Sequence, residues 1–338
     1  MSAPQDYEKR YSELRHMVDR RLASLIRAKS PADLNEACRY VLSAGGKRVR
    51  STLLILSCEA VGGRAVQALE AGAAIEVMHN FTLVHDDIMD NAPSRRGRRT
   101  VHIRWNLNTA LLVGDVMVGL AYKTLLDTKG DKIREIIDLF SAGLIGVCQG
   151  QSLDLAYERR PDVTIPEYFL MIEKKTGLMI SMATHLGAVI GDGSASQIEA
   201  LRLYGRYIGR AFQLRDDLLD VVATRKDFGK SIGGDIVEGK KTFLLLLAAE
   251  RAKGGDRKVI LGLMRRHELT AHPVSATERR KLIMAVTAIY RRYGIIEETR
   301  EQIRKNTRKA AASLAVLPRV RATGMLQWFS EALMNRIS

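Results

Sequence analysis

Apolar positions along this 338-residue chain recur mostly at intervals of three and four and seldom at two, the spacing of one face of a helix and not of a half-buried strand. Helix starts are marked as well. Ser30-Pro31-Ala32-Asp33 reads as an N-cap with proline at the first helical position, and Thr164 to Glu167, Ser194 to Gln197 and Ser275 to Glu278 have the capping-box form. Breaks fall near Asn91 to Arg99, Thr128 to Lys132, Arg159 to Pro161, Gly191 to Ser196, Thr224 to Lys240, Lys253 to Asp256 and Thr270 to Ser275. None is a Gly/Ser/Pro-rich linker, and no period of 20 to 50 residues marks a solenoid. The pattern predicts an all-α fold, a single helical bundle over residues 1–338.

Composition adds limits. With 46% hydrophobic residues the chain can bury a substantial core, which argues against disorder. No stretch of 18 uncharged apolar residues occurs, and Met1 to Arg27 is charged throughout. The expectation is therefore a cytoplasmic protein with no transmembrane segment and no secretory leader. Cys38, Cys58 and Cys148 lie in apolar or helical contexts without metal-ligand spacing and read as buried, reduced thiols. The net charge of +15 favours an acidic partner, whether nucleic acid, anionic membrane or phosphorylated small molecule. Arg291 to Lys309, where Glu297, Glu298 and Glu301 alternate with bases, reads as a solvated helix face.

Chemistry concentrates in two acidic clusters. Ala71 to Asp90 reads as one helix on which His79, Asp86 and Asp90, spaced by seven and four, form a stripe flanked by Asp87. At 1.5 Å per residue that stripe is roughly 16 Å long, the reach of a small phosphorylated substrate with metal ions. Gly209 to Asp220 repeats the Asp-Asp-x-x-Asp spacing and puts Gln213, Asp216, Asp217 and Asp220 within one face. One such cluster can be an exposed acidic helix end. Two, each in an apolar helix and each followed by a basic loop, call for a cation, because carboxylates four residues apart repel and a helix C-terminus disfavours negative charge. Hard oxygen ligands select Mg²⁺, which takes one or two protein carboxylates and completes its shell with water and phosphate.

The basic loops complete the picture. Arg95-Arg96-Gly97-Arg98-Arg99 follows the first cluster; Lys230, Lys240 and Lys241, among glycines, follow the second. Such forks and point charges suit a diphosphate, although Arg98, Arg99 and Lys241 read equally well as solvated loop residues. Gly45-Gly46-Lys47-Arg48-Val49-Arg50 precedes an apolar helix starting near Thr52 and could hold a second anion. It is not a nucleotide phosphate loop, since neither the spacing nor a preceding strand is present.

Together GGKRVR, LVHDDIMD followed by RRG, EKKTG, FQLRDDLLD, and GK followed by DIVEGKKT resemble the trans-isoprenyl diphosphate synthases, over about Gly45 to Thr242. The resemblance implies an all-α isoprenoid synthase bundle around a central cavity, a homodimer, and three Mg²⁺ ions held by Asp86, Asp90 and Asp216 with Asp87, Asp217 and Asp220. It implies condensation of isopentenyl diphosphate with a dimethylallyl, geranyl or farnesyl diphosphate through ionisation of the allylic C–O bond, the released diphosphate taking the last proton. Arg95, Lys175, Lys230 and Lys240 would hold the allylic diphosphate, and Thr176 and Gln213 would face the carbocation. Gly45, Lys47, Arg50, His79 and Arg96 would bind isopentenyl diphosphate. Ser51 stands where the family commonly has proline, and Pro93-Ser94 occupies a variable loop. Phe81, five residues before Asp86 and unaccompanied by an aromatic at Thr82, resembles the arrangement of geranylgeranyl diphosphate synthases, with Met78 the next candidate floor of the pocket.

Other products, farnesyl or longer polyprenyl diphosphates, fit the same motifs. A class I terpene cyclase would need a different second metal motif, and a phosphohydrolase using the His85-Asp86 pair leaves the second cluster unexplained. A non-catalytic synthase subunit would be expected to lack aspartates that are all present. Nucleic acid is not expected as a partner, because the bases cluster beside carboxylates that would repel its backbone.

Overall fold

The computed structural model describes residues 3–26, 30–222, 233–265 and 275–335, which are almost wholly helical, as the periodicity predicts. In chain order the helices are α1 (Ala3–Ala23), α2 (Ala32–Leu42), α3 (Val49–Ala60), α4 (Leu69–Met89), α5 (Val101–Arg104), α6 (Leu107–Leu126), α7 (Ile133–Arg159) and α8 (Ile165–Ile172). There follow a π-turn (Glu173–Gly177), α9 (Leu178–Ile190), α10 (Ala195–Val222), α11 (Gly234–Glu238), α12 (Phe243–Arg251), α13 (Gly254–Met264), α14 (Ala276–Arg292), α15 (Ile295–Ser313) and α16 (Arg321–Asn335). Among the described residues the strands are β1 (Ser94–Arg95) and β2 (Arg98–Arg99), antiparallel with Arg95 opposite Arg98.

Local signals placed these boundaries well where side chain and backbone partners lie within one turn. All three capping boxes form: Thr164 with Glu167, Ser275 with Glu278, and Ser194 with Gln197. Ser30 does not cap α2. The helix begins at Ala32 with extended Pro31 in the cap position and no side-chain cap bond. The predicted break at Thr224 to Lys240 contains a short helix, α11, in its described part.

Contacts divide the chain into two compact units. The first comprises Met1–Leu144, Ile180–Gly205 and Ser313–Phe329. In it α3 and α4 are buried all round over Ser51–Cys58 and Ala71–Met78, the polar Ser51, Ser57 and Glu76 included. A helix of that kind belongs in a core, and α4 packs against α1, α3 and α6. The rigid placement of α4 carries Asp86 to Asp90 at its C-terminal end. On α9, a Cβ at Gly187 would come within 2.8 Å of Ser57 Cβ and 3.0 Å of Leu54 C, with Leu54 O nearer still. The second unit comprises Ile145–Met179, Arg206–Ala312 and Ser330–Ser338. Its core gathers Tyr168, Leu214, Leu218, Phe243, Leu244, Ile260, Tyr290 and Ile303 in one cluster, which fixes the C-terminal half of α10 and so the second aspartate cluster.

Cys38 and Cys58 are buried, and burial pushes their thiols up to about 11 and about 12. Cys148 is not buried as expected; it lies on the exposed stripe of α7 with Ile145, where helical spacing alone could not distinguish an inward from an outward apolar face. Helices α6 and α7 are long and apolar enough to cross a membrane by length and composition, with 39% of each window buried. Arg291 to Lys309 spans the end of α14 and most of α15, where Ile295, Ile296 and Ile303 point inward and Glu297, Glu301, Lys305 and Arg308 outward.

Gly187→Ala should lower stability by about 1–3 kcal/mol, the usual cost of forcing a methyl against a packed neighbour. Thermal unfolding checks it, and an unchanged melting temperature would show that α9 shifts freely on α3.

Candidate active site: two sets of acids and bases

In the first unit, Asp87 is buried, Asp86 half-buried and Asp90 exposed at the C-cap of α4. Burial raises the Asp87 carboxyl, and Arg95, whose Nε donates to Asp87 Oδ1 at 2.6 Å, partly offsets the rise. The hairpin explains how adjacent arginines part. Arg96 and Gly97 both have positive φ, 52° and 73°, the signature of a two-residue type I′ turn that reverses the strand direction. Arg95 thus turns to the acidic cluster. Arg96 instead donates to Gly45 O and lies against Gly46, where a Cβ would come 3.2–3.4 Å from its guanidinium. Gly45 and Gly46 have φ of 68° and 146°, so the loop needs glycine there.

Arg50 Nη1 lies 3.2 Å from His79 Nε2. Burial, and then Arg50, Arg96, Arg95 and Arg48, hold the His79 pKa well below its usual value. A neutral imidazole facing a guanidinium accepts through Nε2 and carries its proton on Nδ1. Arg48, buried and at φ 50°, is held by Asp19 at 2.8 Å and Glu76 at 3.4 Å and donates to Leu42 O. Ser51 donates from both N and Oγ to Glu76 Oε1, at 3.3 and 3.0 Å. A proline there would forfeit the first of these bonds. The structure therefore brings Gly45, Arg50, His79 and Arg96 together, with Lys47 on the same loop.

In the second unit the π-turn sets Lys175 and Thr176. A π-turn adds a residue to one helical turn, and here it is clasped by glycines. A Cβ on Gly150 would come 2.7 Å from Lys175 Cα, and one on Gly209 2.5 Å from Gly177 Cα. Glu173 at its start is paired with Arg206 and Arg210. Thr176 Oγ1 then donates to Gln213 Oε1 at 2.8 Å, Gln213 Nε2 to Asp217 Oδ1 at 2.8 Å, and Tyr168 OH to Asp217 Oδ2 at 2.6 Å. Asp220 accepts from the backbone N–H of Gly234 and Asp235 at 3.2 and 3.0 Å. Burial and then Asp235 push Asp217 up to about 7 and Asp220 up to about 6. Asp216 keeps 42% of its side chain exposed beside Arg215.

Lys175 pairs with Asp154. Burial opposes the Asp154 charge, but Lys240 and Lys175 outweigh it and lower its pKa. Burial likewise opposes the Lys240 charge, while Asp235, Asp154 and Asp217 hold it protonated well above the lysine range. Lys241 is not a solvated loop residue, since it is buried and donates to Glu158 O at 2.9 Å. Arg98 lies 3.9 Å over the Tyr40 ring, and Arg99 donates to Ile103 O. Lys230 lies outside the described residues.

Sequence reasoning missed Asp154, Asp235, Tyr168 and Glu76. Asp154 carried a signal, the lone charge between Leu139 and Tyr157, and Asp235 sat inside a motif already singled out. Among the described residues no three His, Cys, Asp or Glu side chains form a ready metal cage. Burial, and after it the neighbouring Asp235, disfavours the charged form of both Asp217 and Asp220.

The Polyprenyl synthetase family model matches residues 31–278. The chain is 37% identical over 332 residues to the short chain isoprenyl diphosphate synthase of Methanothermobacter thermautotrophicus, covering 98% of each. It is 41% identical over 236 residues to the geranylgeranyl diphosphate synthase of Methanosarcina mazei, covering 69% of this chain and 73% of that one. The crystal structure of a geranylgeranyl pyrophosphate synthetase from Pyrococcus horikoshii matches with a TM-score of 0.90 at 33% identity, over 98% of this chain and 99% of that one.

Asp154→Ala should cost about 3 kcal/mol, because it leaves Lys175 and Lys240 without their shared counter-ion. Urea unfolding measures this, and a loss under about 1 kcal/mol would mean that water already screens the pair.

Proposed function

The chain belongs to the polyprenyl synthetase family and is a trans-prenyltransferase, and from that premise we propose that it condenses isopentenyl diphosphate with an allylic diphosphate to give geranylgeranyl diphosphate. One observation carries the reading. The first unit holds two charged clusters of opposite kind, guanidiniums around a neutral His79 beside Gly45 and Gly46, and carboxylates at Asp86 to Asp90 with Arg95 among them. The first can take a diphosphate directly. The second can do so only with a metal between the charges. Two diphosphates bound in two ways suit a reaction in which one leaves and the other stays.

Asp86, Asp90 and Asp216 would hold Mg²⁺, three ions by the resemblance. Asp87, Asp217 and Asp220, whose oxygens accept bonds from protein donors, would support them. When bound, Mg²⁺ supplies the charge that lets the allylic C–O bond ionise. By the same resemblance Arg95, Lys175, Lys230 and Lys240 would hold the oxygens of the leaving diphosphate. Thr176 Oγ and Gln213 Oε1 present lone pairs to the developing cation. Gly45, Lys47, Arg50, His79 and Arg96 bind isopentenyl diphosphate. We read the chain as one synthase domain, on the strength of a family match running unbroken over residues 31–278. We read it too as a cytoplasmic homodimer, in which the exposed Leu107, Leu111, Leu112 and Val116 of α6 are covered by protein and not by lipid.

Product length follows from the room beside α4. Phe81 and Thr82 are half-buried and Met78 is buried, and by the resemblance Phe81 is the group that would limit a chain growing along this helix.

Incubation with isopentenyl diphosphate and each allylic primer, with products separated by length, is the direct test; no condensation with any primer would refute the reading. Asp86→Ala and Asp216→Ala should each lower turnover more than about 100-fold, beyond the 10–100-fold typical of groups that only support a metal ligand. Arg96→Ala should raise KM for isopentenyl diphosphate and Arg95→Ala should impair the allylic substrate, with equal effects on both substrates counting against the split. Phe81→Ala should lengthen the product beyond twenty carbons and Thr82→Phe shorten it; an unchanged distribution in Phe81→Ala would move the floor to Met78.

A further inference from the structure

Glycine in the middle of a helix is the least favourable residue after proline, yet Gly114 sits eight residues into α6 with helical backbone. Its reason is steric. A Cβ there would come 2.6 Å from His85 Cδ2 and 2.8 Å from His85 Cε1, with Nε2 nearer still. The imidazole of α4 thus points end-on into the notch that Gly114 leaves in α6. It is not drawn there by a hydrogen bond, because His85 Nε2 is buried with no polar partner. What the ring does make is an edge contact with Phe81, one helical turn earlier, at 4.8 Å between centroids and 64° between planes. Helical spacing puts Phe81 and His85 on one face of α4, so the three residues form a row from α6 to Phe81.

We propose that Gly114 is a specificity-determining residue for product length, acting at one remove: the notch seats His85, and His85 holds the Phe81 ring in place. This deepens the prenyltransferase reading and rests on it. A side chain at position 114 expels the imidazole from the notch. The ring's remaining neighbour in the row is Phe81, so the displacement pushes on Phe81, the group taken above as the floor of the product pocket. The product becomes shorter. Removing the imidazole has the opposite effect, because Phe81 then loses the face it packs against and can turn aside for a longer chain.

The experiment measures condensation rate and product length separately, with isopentenyl diphosphate and a farnesyl or geranyl primer, for wild type and for Gly114→Ala, His85→Ala and the double variant. Gly114→Ala should turn over and shift its main product down by at least one five-carbon unit. His85→Ala should shift it up. The double variant should match His85→Ala, since an alanine at 114 has nothing left to displace. Wild-type lengths from Gly114→Ala, or a double variant that makes products shorter than His85→Ala does, would overturn the proposal while leaving the enzyme reading intact. If Gly114→Ala fails to fold, the comparison of His85→Ala with the double variant decides alone, and unchanged lengths in His85→Ala refute it. A wild type inactive with every primer removes the enzyme reading and this inference with it.

Discussion

The constraint on which the rest depends is the concentration of like charge on apolar helices. A carboxylate withdrawn from water must find donors or cations, or else take up a proton. Asp87, Asp217 and Asp220 are each under a tenth exposed, and each is answered differently: by the Arg95 guanidinium, by Tyr168 and Gln213, and by the backbone N–H groups of Gly234 and Asp235. The answers are incomplete, which is why Asp217 and Asp220 remain raised. Asp90 and Asp216, by contrast, keep contact with solvent. The acids thus divide into ones anchored by the protein and ones presented outward.

Close backbone approach makes the anchoring possible. Gly150, Gly177 and Gly209 let α7 and α10 close on the π-turn, so that Thr176 reaches Gln213 and Lys175 reaches Asp154. At the other site a strained residue serves. Arg48 at φ 50° costs on the order of 1 kcal/mol, and the ion pairs with Asp19 and Glu76 hold it there. The strain turns the chain from Gly45-Gly46-Lys47 into α3, placing Arg50 against His79. Rigidity at this site is bought with the charge of Arg48, Asp19 and Glu76, none of which is assigned to substrate.

What was legible in the sequence was local. Helix period, three capping boxes, the i and i+4 acids and the glycines at Gly45 and Gly46 each concern residues within a turn or two of one another. The partners that give those residues their properties are distant in sequence. Tyr168 meets Asp217 across 49 positions and Lys175 meets Asp154 across 21, and no spacing rule links them. Local reasoning failed where two local rules compete or where direction matters. Pro31 displaced Ser30 from the cap of α2, Lys241 turned inward to a carbonyl, and Cys148 turned outward on α7.

Two buried groups report the local potential with opposite signs. Burial alone lowers the pKa of both a histidine and a lysine. At His79 the surrounding arginines act in the same direction as burial, so the imidazole stays neutral. At Lys240 the carboxylates of Asp235, Asp154 and Asp217 overcome burial, so the ammonium stays charged. The potential is therefore positive at the first and negative at the second. A dianion near His79 meets positive charge already in place, whereas one near Asp217 and Asp220 meets carboxyls that burial and then Asp235 already hold raised. Under the function we propose, metal dependence would fall to the diphosphate that leaves, and direct guanidinium binding to the one that is retained.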